Sequence, residues 1–93
     1  MIKDDRSPEE IVATVGFVVA TDDYMSGWGN APRRSIYAIP LMDWNQVDTV
    51  RENFDNLSQM KRVRVCGRDW RPRLVGGDHL KIASPSTAKS WYE

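Results

Sequence analysis

Apolar residues change their spacing several times along the chain, and each change predicts a different element. Residues 14–21 are almost continuously apolar and β-branched, which is typical of a strand buried on both faces. Residues 34–41 predict a second strand, with Pro40 at its end or on an edge because proline has no N–H to donate. Residues 62–66 alternate between basic and apolar, which predicts a third strand, and residues 79–83 predict a fourth.

The clearest helix begins at Asp43, a favourable N-cap that Gln46 complements in a capping box. Apolar residues then recur every three or four positions, which places them on one face of a helix that ends near Asn56. This face consists of Trp44, Val47, Val50, Phe54 and Leu57.

The order of these elements predicts an α+β fold. We expect a mostly antiparallel sheet of about four strands, with one main helix packed on one face. Residues 84–92 predict a short C-terminal helix, from which Trp91 and Tyr92 close the core. A chain of 93 residues is expected to form a single domain over residues 1–93, with residues 1–6 as a loose tail.

The net charge of zero conceals a marked asymmetry. Residues 1–60 carry ten acidic and five basic side chains, whereas residues 61–93 carry three acidic and eight basic ones. The two parts therefore have net charges of −5 and +5, which indicates an acidic face and a basic face. The two faces either neutralise each other, within the fold or in a dimer, or bind partners.

Residues 61–73 hold six basic side chains, and we expect Val63 and Val65 to point inward from this stretch with Arg62 and Arg64 outward. Trp28, between two glycines in the long irregular segment 22–33, is either an interface anchor or a plug on the sheet. The candidate partner-binding residues are Arg62, Arg64, Arg68, Trp70, Arg71, Arg73 and Trp28.

Three interpretations of the basic stretch remain open. The arginines form a solvated sheet face that pairs with acids such as Glu52 and Asp55, or they bind an acidic protein surface. Alternatively they bind nucleic acid, with Trp70 stacking on a base, although dedicated nucleic-acid domains are usually net basic.

Few residues offer catalytic or metal chemistry. Cys66 and His79 are the only cysteine and histidine, which is too few donors for a structural zinc site and excludes an intramolecular disulfide. A cysteine enzyme using this pair is a weak alternative, because a reactive thiolate needs a specific electropositive setting. We predict a protein that is not an enzyme and that uses no metal or cofactor.

The sequence also predicts a cytoplasmic location. The start of the chain is polar and acidic, unlike a secretory signal, and no apolar run has the length of a membrane span. We expect no contact with membranes, and the oligomeric state stays open.

The middle of the chain, residues 22–66, resembles a group of small phage proteins for which no activity is established. These proteins share an aromatic-Met-Ser-Gly-Trp-Gly loop, a strand, a helix with a Gln-Ala/Val pattern and an Asn, and a Ser-Glu-Met-Lys/Arg turn. In this chain the corresponding residues are Tyr24-Met25-Ser26-Gly27-Trp28-Gly29, Tyr37, Gln46-Val47-Asp48-Thr49-Val50, Asn53 and Ser58-Gln59-Met60-Lys61, with Gln59 in place of the usual Glu. The resemblance implies a phage setting and no site residue.

In that setting the lead hypothesis is a non-enzymatic binding protein with a host-takeover or anti-defence role. Such an inhibitor, of anti-CRISPR-like type, would act in the host-cell cytoplasm by protein-protein contact with a larger host protein or nucleoprotein complex. The alternative is a small nucleic-acid-binding protein that uses the basic stretch from Arg62 to Arg73 together with Trp70.

Overall fold

The computed structural model describes residues 2–22 and 34–93 of the chain. Over these two ranges the chain forms five strands, two α-helices and two short 3-10 turns. The strands are β1 (Ile2–Asp4), β2 (Gly16–Asp22), β3 (Ser35–Leu41), β4 (Met60–Gly67) and β5 (His79–Ile82). The helices are α1 (Pro8–Ala13) and α2 (Val47–Asp55), and the 3-10 turns are Trp44–Gln46 and Lys89–Tyr92.

Within the described ranges, the strands form one mixed sheet in the order β1-β5-β3-β2-β4. Strand β2 pairs antiparallel with β3 and β4, whereas β5 pairs parallel with β3 and β1. The α+β class with one main helix is confirmed, but the mostly antiparallel sheet of about four strands is corrected to a mixed sheet of five. The chain between β3 and β5 contains α2 and β4, and a connection of that length permits parallel pairing.

Residues 2–4 form the edge strand β1, where the sequence predicted part of a loose tail. Ile2 lies opposite Leu80 and Asp4 opposite Ile82, and the Asp5 N–H donates to the Ile82 carbonyl oxygen at 3.0 Å. All three residues of β1 are exposed. An edge strand of this kind buries no face of its own, so its polar sequence carries no strand pattern.

Strand β2 is an interior strand of the sheet, between β3 and β4, and is buried on both faces, as predicted. Val18 and Ala20 contribute to the hydrophobic cluster under α2, and Phe17 and Val19 to the cluster on the opposite face. Pro40 of β3 lies beyond the last residue of that strand paired with β5, so its missing N–H interrupts no hydrogen bond of that ladder.

The helix α2 packs on one face of the sheet through Val50 and Phe54, which are fully buried. Its start is as predicted: the Asp43 side chain accepts from the Asn45 N–H at 2.9 Å, and Gln46 Oε1 accepts from the Asp43 N–H at 3.2 Å. The first turn is a 3-10 turn, and the α-helix follows it to Asp55.

The C-terminal segment closes this core, although it ends in a 3-10 turn and not in the short α-helix predicted. The ring centroids of Trp91 and Phe54 lie 4.6 Å apart, and the Tyr92 hydroxyl donates to the Pro40 carbonyl oxygen at 2.6 Å. Burial, followed by the negative charge of Glu10, raises the pKa of Tyr92 to about 12. The predicted role of Trp91 and Tyr92 is thus confirmed.

Gly16 and Gly67 lie opposite each other on β2 and β4, yet only one of them tolerates a side chain. A Cβ at Gly16 would lie 2.8 Å from the Cys66 carbonyl oxygen and 2.5 Å from Trp44 Cη2, whereas a Cβ at Gly67 meets no atom within 4 Å. We expect Gly16→Ala to lower the free energy of unfolding by about 1–3 kcal/mol, because the backbone oxygen cannot move aside. Urea denaturation measures this change.

Gly67→Ala is the matched control for that substitution, and we expect it to change stability by no more than about 0.5 kcal/mol. Equal losses in the two variants would contradict the close approach of β4 and Trp44 to Gly16.

Candidate functional site

Strand β4 contains a β-bulge that redirects its side chains. The register with β2 shifts between Val19 and Thr21, which leaves Arg62 and Val63 together opposite Ala20. Arg62 has a φ of 57°, in the left-handed region that costs a non-glycine residue about 1–2 kcal/mol. Bulges of this kind bend a strand and re-aim its side chains.

The bulge leaves Val63 and Val65 on the α2 face of the sheet, opposite Ala20 and Val18. Val63 packs with the cluster under α2, as predicted, whereas Val65 points to the same face but is 41% exposed, so the expectation that it helps to form the core is wrong. Val65 lies on the outermost strand of the sheet, so no further strand covers it. Arg64 lies opposite Val19 and so takes the sheet face away from α2.

The sheet face away from α2 is covered by the segment of residues 68–78, which connects β4 to β5. Its N-terminal part turns sharply, with the Trp70 N–H donating to the Gly67 carbonyl oxygen at 3.1 Å. The Trp70 ring then packs on Phe17 with 5.7 Å between centroids, and Leu74 packs on the same cluster. The cluster itself consists of Phe17, Val19, Ile36, Ala38, Leu80 and Ile82.

The far end of this segment is fixed by Asp78, which is only 4% exposed. Its carboxylate accepts from Arg34 Nε at 3.3 Å and Nη2 at 2.6 Å, and from the Val75 N–H at 3.1 Å. The bond from Arg34 is the largest cause that holds the pKa of Asp78 below its usual range, followed by the Val75 bond. The His79 N–H also donates to the Arg34 carbonyl oxygen at 2.9 Å, which joins the segment to the start of β3.

Between this segment, the bulged strand and the start of β3 lies an open concavity of about 350 Å³, which we name the arginine cleft. Five arginines of the described chain line it, beside Trp70: Arg34, Arg62, Arg64, Arg71 and Arg73. No carboxylate is among the described residues that line it.

Three of the five arginines in the arginine cleft form no ion pair with a described residue. Arg64 Nη1 donates to the Arg62 carbonyl oxygen at 3.2 Å, and Arg71 Nη1 to the Trp70 carbonyl oxygen at 2.9 Å, both neutral acceptors. Within residues 2–22 and 34–93, Arg64, Arg71 and Arg73 form no ion pair, whereas Arg34 is paired with Asp78. The cleft therefore presents clustered guanidinium groups to solvent, a chemistry suited to carboxylates and phosphates.

The structure brings together five of the seven candidate residues of the sequence: Arg62, Arg64, Trp70, Arg71 and Arg73. Arg68 is exposed but does not line the cleft, and Trp28 lies outside the described residues. Arg34 belongs to the cleft and was missed, because its position beside β4 residues follows from the strand order, which the sequence does not reveal.

The sequence-level alternative of a cysteine enzyme finds no geometric support in the positions of its two residues. Cys66 lies on β4 and His79 on β5, and strands β2 and β3 lie between them. Three strand spacings amount to about 14 Å, far beyond hydrogen-bond reach. Cys66 instead packs, half-buried, against the cluster around Phe17.

Residues 2–22 and 34–93 contain neither a metal-binding cluster nor a membrane-spanning helix. There, no group of three or more His, Cys, Asp and Glu side chains lies close enough to hold a metal ion. Neither helix of residues 2–22 and 34–93 has the length and apolarity to span a membrane.

No family model, curated protein or solved structure matches this chain. The resemblance to small phage proteins therefore stays a prediction.

The ion pair of Asp78 with Arg34 generates a prediction about acid stability. Because the pKa of Asp78 is lowered on folding from its ordinary value of 3.8, its contribution to stability is complete above that pH. The contribution is lost as the pH falls through the lower pKa of the folded state. We expect Asp78→Asn to unfold more easily than the wild type at pH 7, with the difference shrinking as the pH falls below about 4.

Thermal unfolding measured from neutral to acidic pH checks this expectation. Asp69→Asn, at an exposed aspartate of the same segment, is the matched control and should keep wild-type stability at pH 7. A constant stability difference between Asp78→Asn and the wild type at every pH would contradict the assigned role.

Proposed function

We propose that this protein is a non-enzymatic binding protein that holds an anionic region of a larger partner in the arginine cleft. The observation that carries the proposal is the cleft itself, where five arginines converge with no carboxylate among the described lining residues. In a domain with as many acidic as basic side chains, such local segregation of charge is a property of this surface and not of the overall composition.

The physical argument is that like charges held together repel one another, and that an anion relieves this repulsion. The guanidinium groups of Arg64 and Arg71 bond to backbone carbonyls, which leaves their remaining donors for a ligand. Arginine presents its donors as a planar fork, so it can bind a carboxylate or phosphate through two parallel hydrogen bonds. The exposed positions of Arg64, Arg71 and Arg73 give a partner direct access.

The resemblance of residues 22–66 to small phage proteins supplies the setting. We propose a host-takeover or anti-defence inhibitor, of anti-CRISPR-like type, that acts in the host-cell cytoplasm. It works by occupying a surface of a host protein or nucleoprotein complex. A domain of 93 residues is large enough to cover a standard interface of about 800 Å² on its own side.

Direct binding of nucleic acid is the second candidate function, favoured by the position of Trp70 beside the arginines. Two observations weigh against it: the net charge of the chain is zero, and the Trp70 ring is half-buried because it packs on Phe17. Part of the Trp70 ring is therefore buried in the fold, and less of its surface is accessible for base stacking.

Charge reversal in the cleft tests the proposed function. We expect the double variant Arg64→Glu and Arg73→Glu to lose at least about tenfold in affinity for the natural partner, since two attractions become repulsions. Both side chains are exposed, so folding should change by less than about 1 kcal/mol. Affinity purification of the tagged protein from the phage host, with and without nuclease treatment, identifies the partner, and titration then measures its affinity.

Arg68→Glu is the matched control, because Arg68 is an exposed arginine of the same connection that does not line the cleft. It should retain the partner. Equal losses in the control and the double variant would contradict the assignment to the cleft. A partner that is recovered only without nuclease would favour the nucleic-acid function instead.

A further inference from the structure

A second concavity of about 310 Å³ adjoins the arginine cleft, and we name it the apolar cleft. The two share a wall formed by Trp70, Arg71 and Pro72. The apolar side chains that line the second cleft are Ile2, Ile11, Phe17, Leu80 and Ile82. The arginine cleft is thus lined by cationic side chains, and the apolar cleft is lined mainly by apolar ones.

Apart from Arg71 in the shared wall, the described charged side chains that line the apolar cleft are paired with each other. Arg6 donates from Nε and Nη2 to the two carboxylate oxygens of Asp4 at 2.9 and 2.7 Å, and from Nη1 to Thr14 Oγ1 at 3.1 Å. The Arg6 guanidinium also lies 5.1 Å from the centre of the Phe17 ring. Because this ion pair is internal, Arg6 adds no net charge to the apolar cleft, and its one unneutralised cation among the described lining residues is Arg71 in the wall shared with the arginine cleft.

Two of the apolar residues that line this cleft are exposed to water. Ile2 is 59% exposed and Ile11 is 45% exposed, although both are large aliphatic side chains. Exposed apolar surface beside a concavity is typical of a site that is covered when a partner binds. A partner side chain placed there would gain from removing this surface from water.

We infer that the two clefts together recognise a protein segment in which an apolar side chain lies beside acidic residues. The apolar side chain enters the apolar cleft, and the carboxylates enter the arginine cleft on the other side of the Trp70–Pro72 wall. This inference rests on the proposed function and adds the chemistry of the partner's segment.

The chemistry of the apolar cleft favours a protein over nucleic acid. Its exposed large apolar residues, Ile2 and Ile11, are aliphatic, whereas proteins that bind unpaired bases use open aromatic faces. In an extended segment, side chains two positions apart point to the same side and lie about 7 Å from each other. An apolar anchor with acids two to four positions away therefore matches two adjacent clefts.

Selection of a phage-displayed library of random peptides on the folded protein tests directly which peptide sequences bind. We expect enrichment of sequences that carry Leu, Ile, Met or Phe flanked by Asp and Glu. Fluorescence anisotropy then gives the affinity of an enriched peptide and of the same peptide with Ser in place of its apolar residue. The substituted peptide should bind about tenfold more weakly.

Variants of the protein locate the two contacts. Ile11→Ser should lower the affinity for the enriched peptide about tenfold. It should not change the affinity for the serine-substituted peptide, because Ile11 contacts only the apolar side chain that this peptide lacks. The matched control is Val12→Ser, at a neighbouring residue of α1 that is 73% exposed and does not line the cleft. It should change affinity by less than about twofold.

The double variant Arg64→Glu and Arg73→Glu separates the two proposals. Enriched peptides that are acidic, show no apolar preference and depend on the arginines alone would overturn the inference while the arginine cleft stands. Peptides that are insensitive to the double variant would overturn both. Failure to enrich any peptide, with enrichment from a parallel library of random single-stranded DNA, would overturn the inference and favour the nucleic-acid function.

Discussion

The packing of Trp70 on Phe17 is the contact on which both clefts depend. The connection from β4 to β5 contains no helix and no strand over residues 68–78, so no hydrogen-bond ladder fixes its course. It is held instead by the Trp70 ring, by Leu74 on the same cluster and by Asp78 on Arg34. The Trp70–Pro72 wall divides the sheet face into a cationic and an apolar half, and this division is the basis of the proposed recognition.

The parts of the fold that the sequence predicts are those governed by local rules. The caps at Asp43 and Gln46 and the spacing of apolar residues define the main helix, and continuous apolarity marks β2 as an interior strand. The missed features depend on distant partners. Strand β1 has no pattern of its own and exists only through β5, and the parallel pairing of β5 with β3 depends on how the chain returns after β4.

The residues of the candidate site, too, can be predicted from the sequence only in part. The basic residues of β4 and the following loop are visible in sequence, and alternation places Arg62 and Arg64 on one face, but the approach of Arg71 and Arg73 to them depends on the course of residues 68–78. Arg34 joins them only because β3 and β4 flank the same strand, and Arg68 is excluded although it lies among them in sequence. A basic stretch in the sequence thus predicts that the surface is positively charged, whereas the strand order decides which residues line the cleft.

The central claim is that the arginine cleft, and not basic charge in general, is the anion-binding surface of this protein. Two-dimensional NMR of the arginine Nε–Hε groups, during titration with polyglutamate, tests this claim most directly. We predict that the signals of Arg64, Arg71 and Arg73 shift together with one affinity, while those of Arg51 on α2 and Arg68 stay in place. Equal shifts of all exposed arginines, or shifts confined to Arg51 and Arg68, would contradict it.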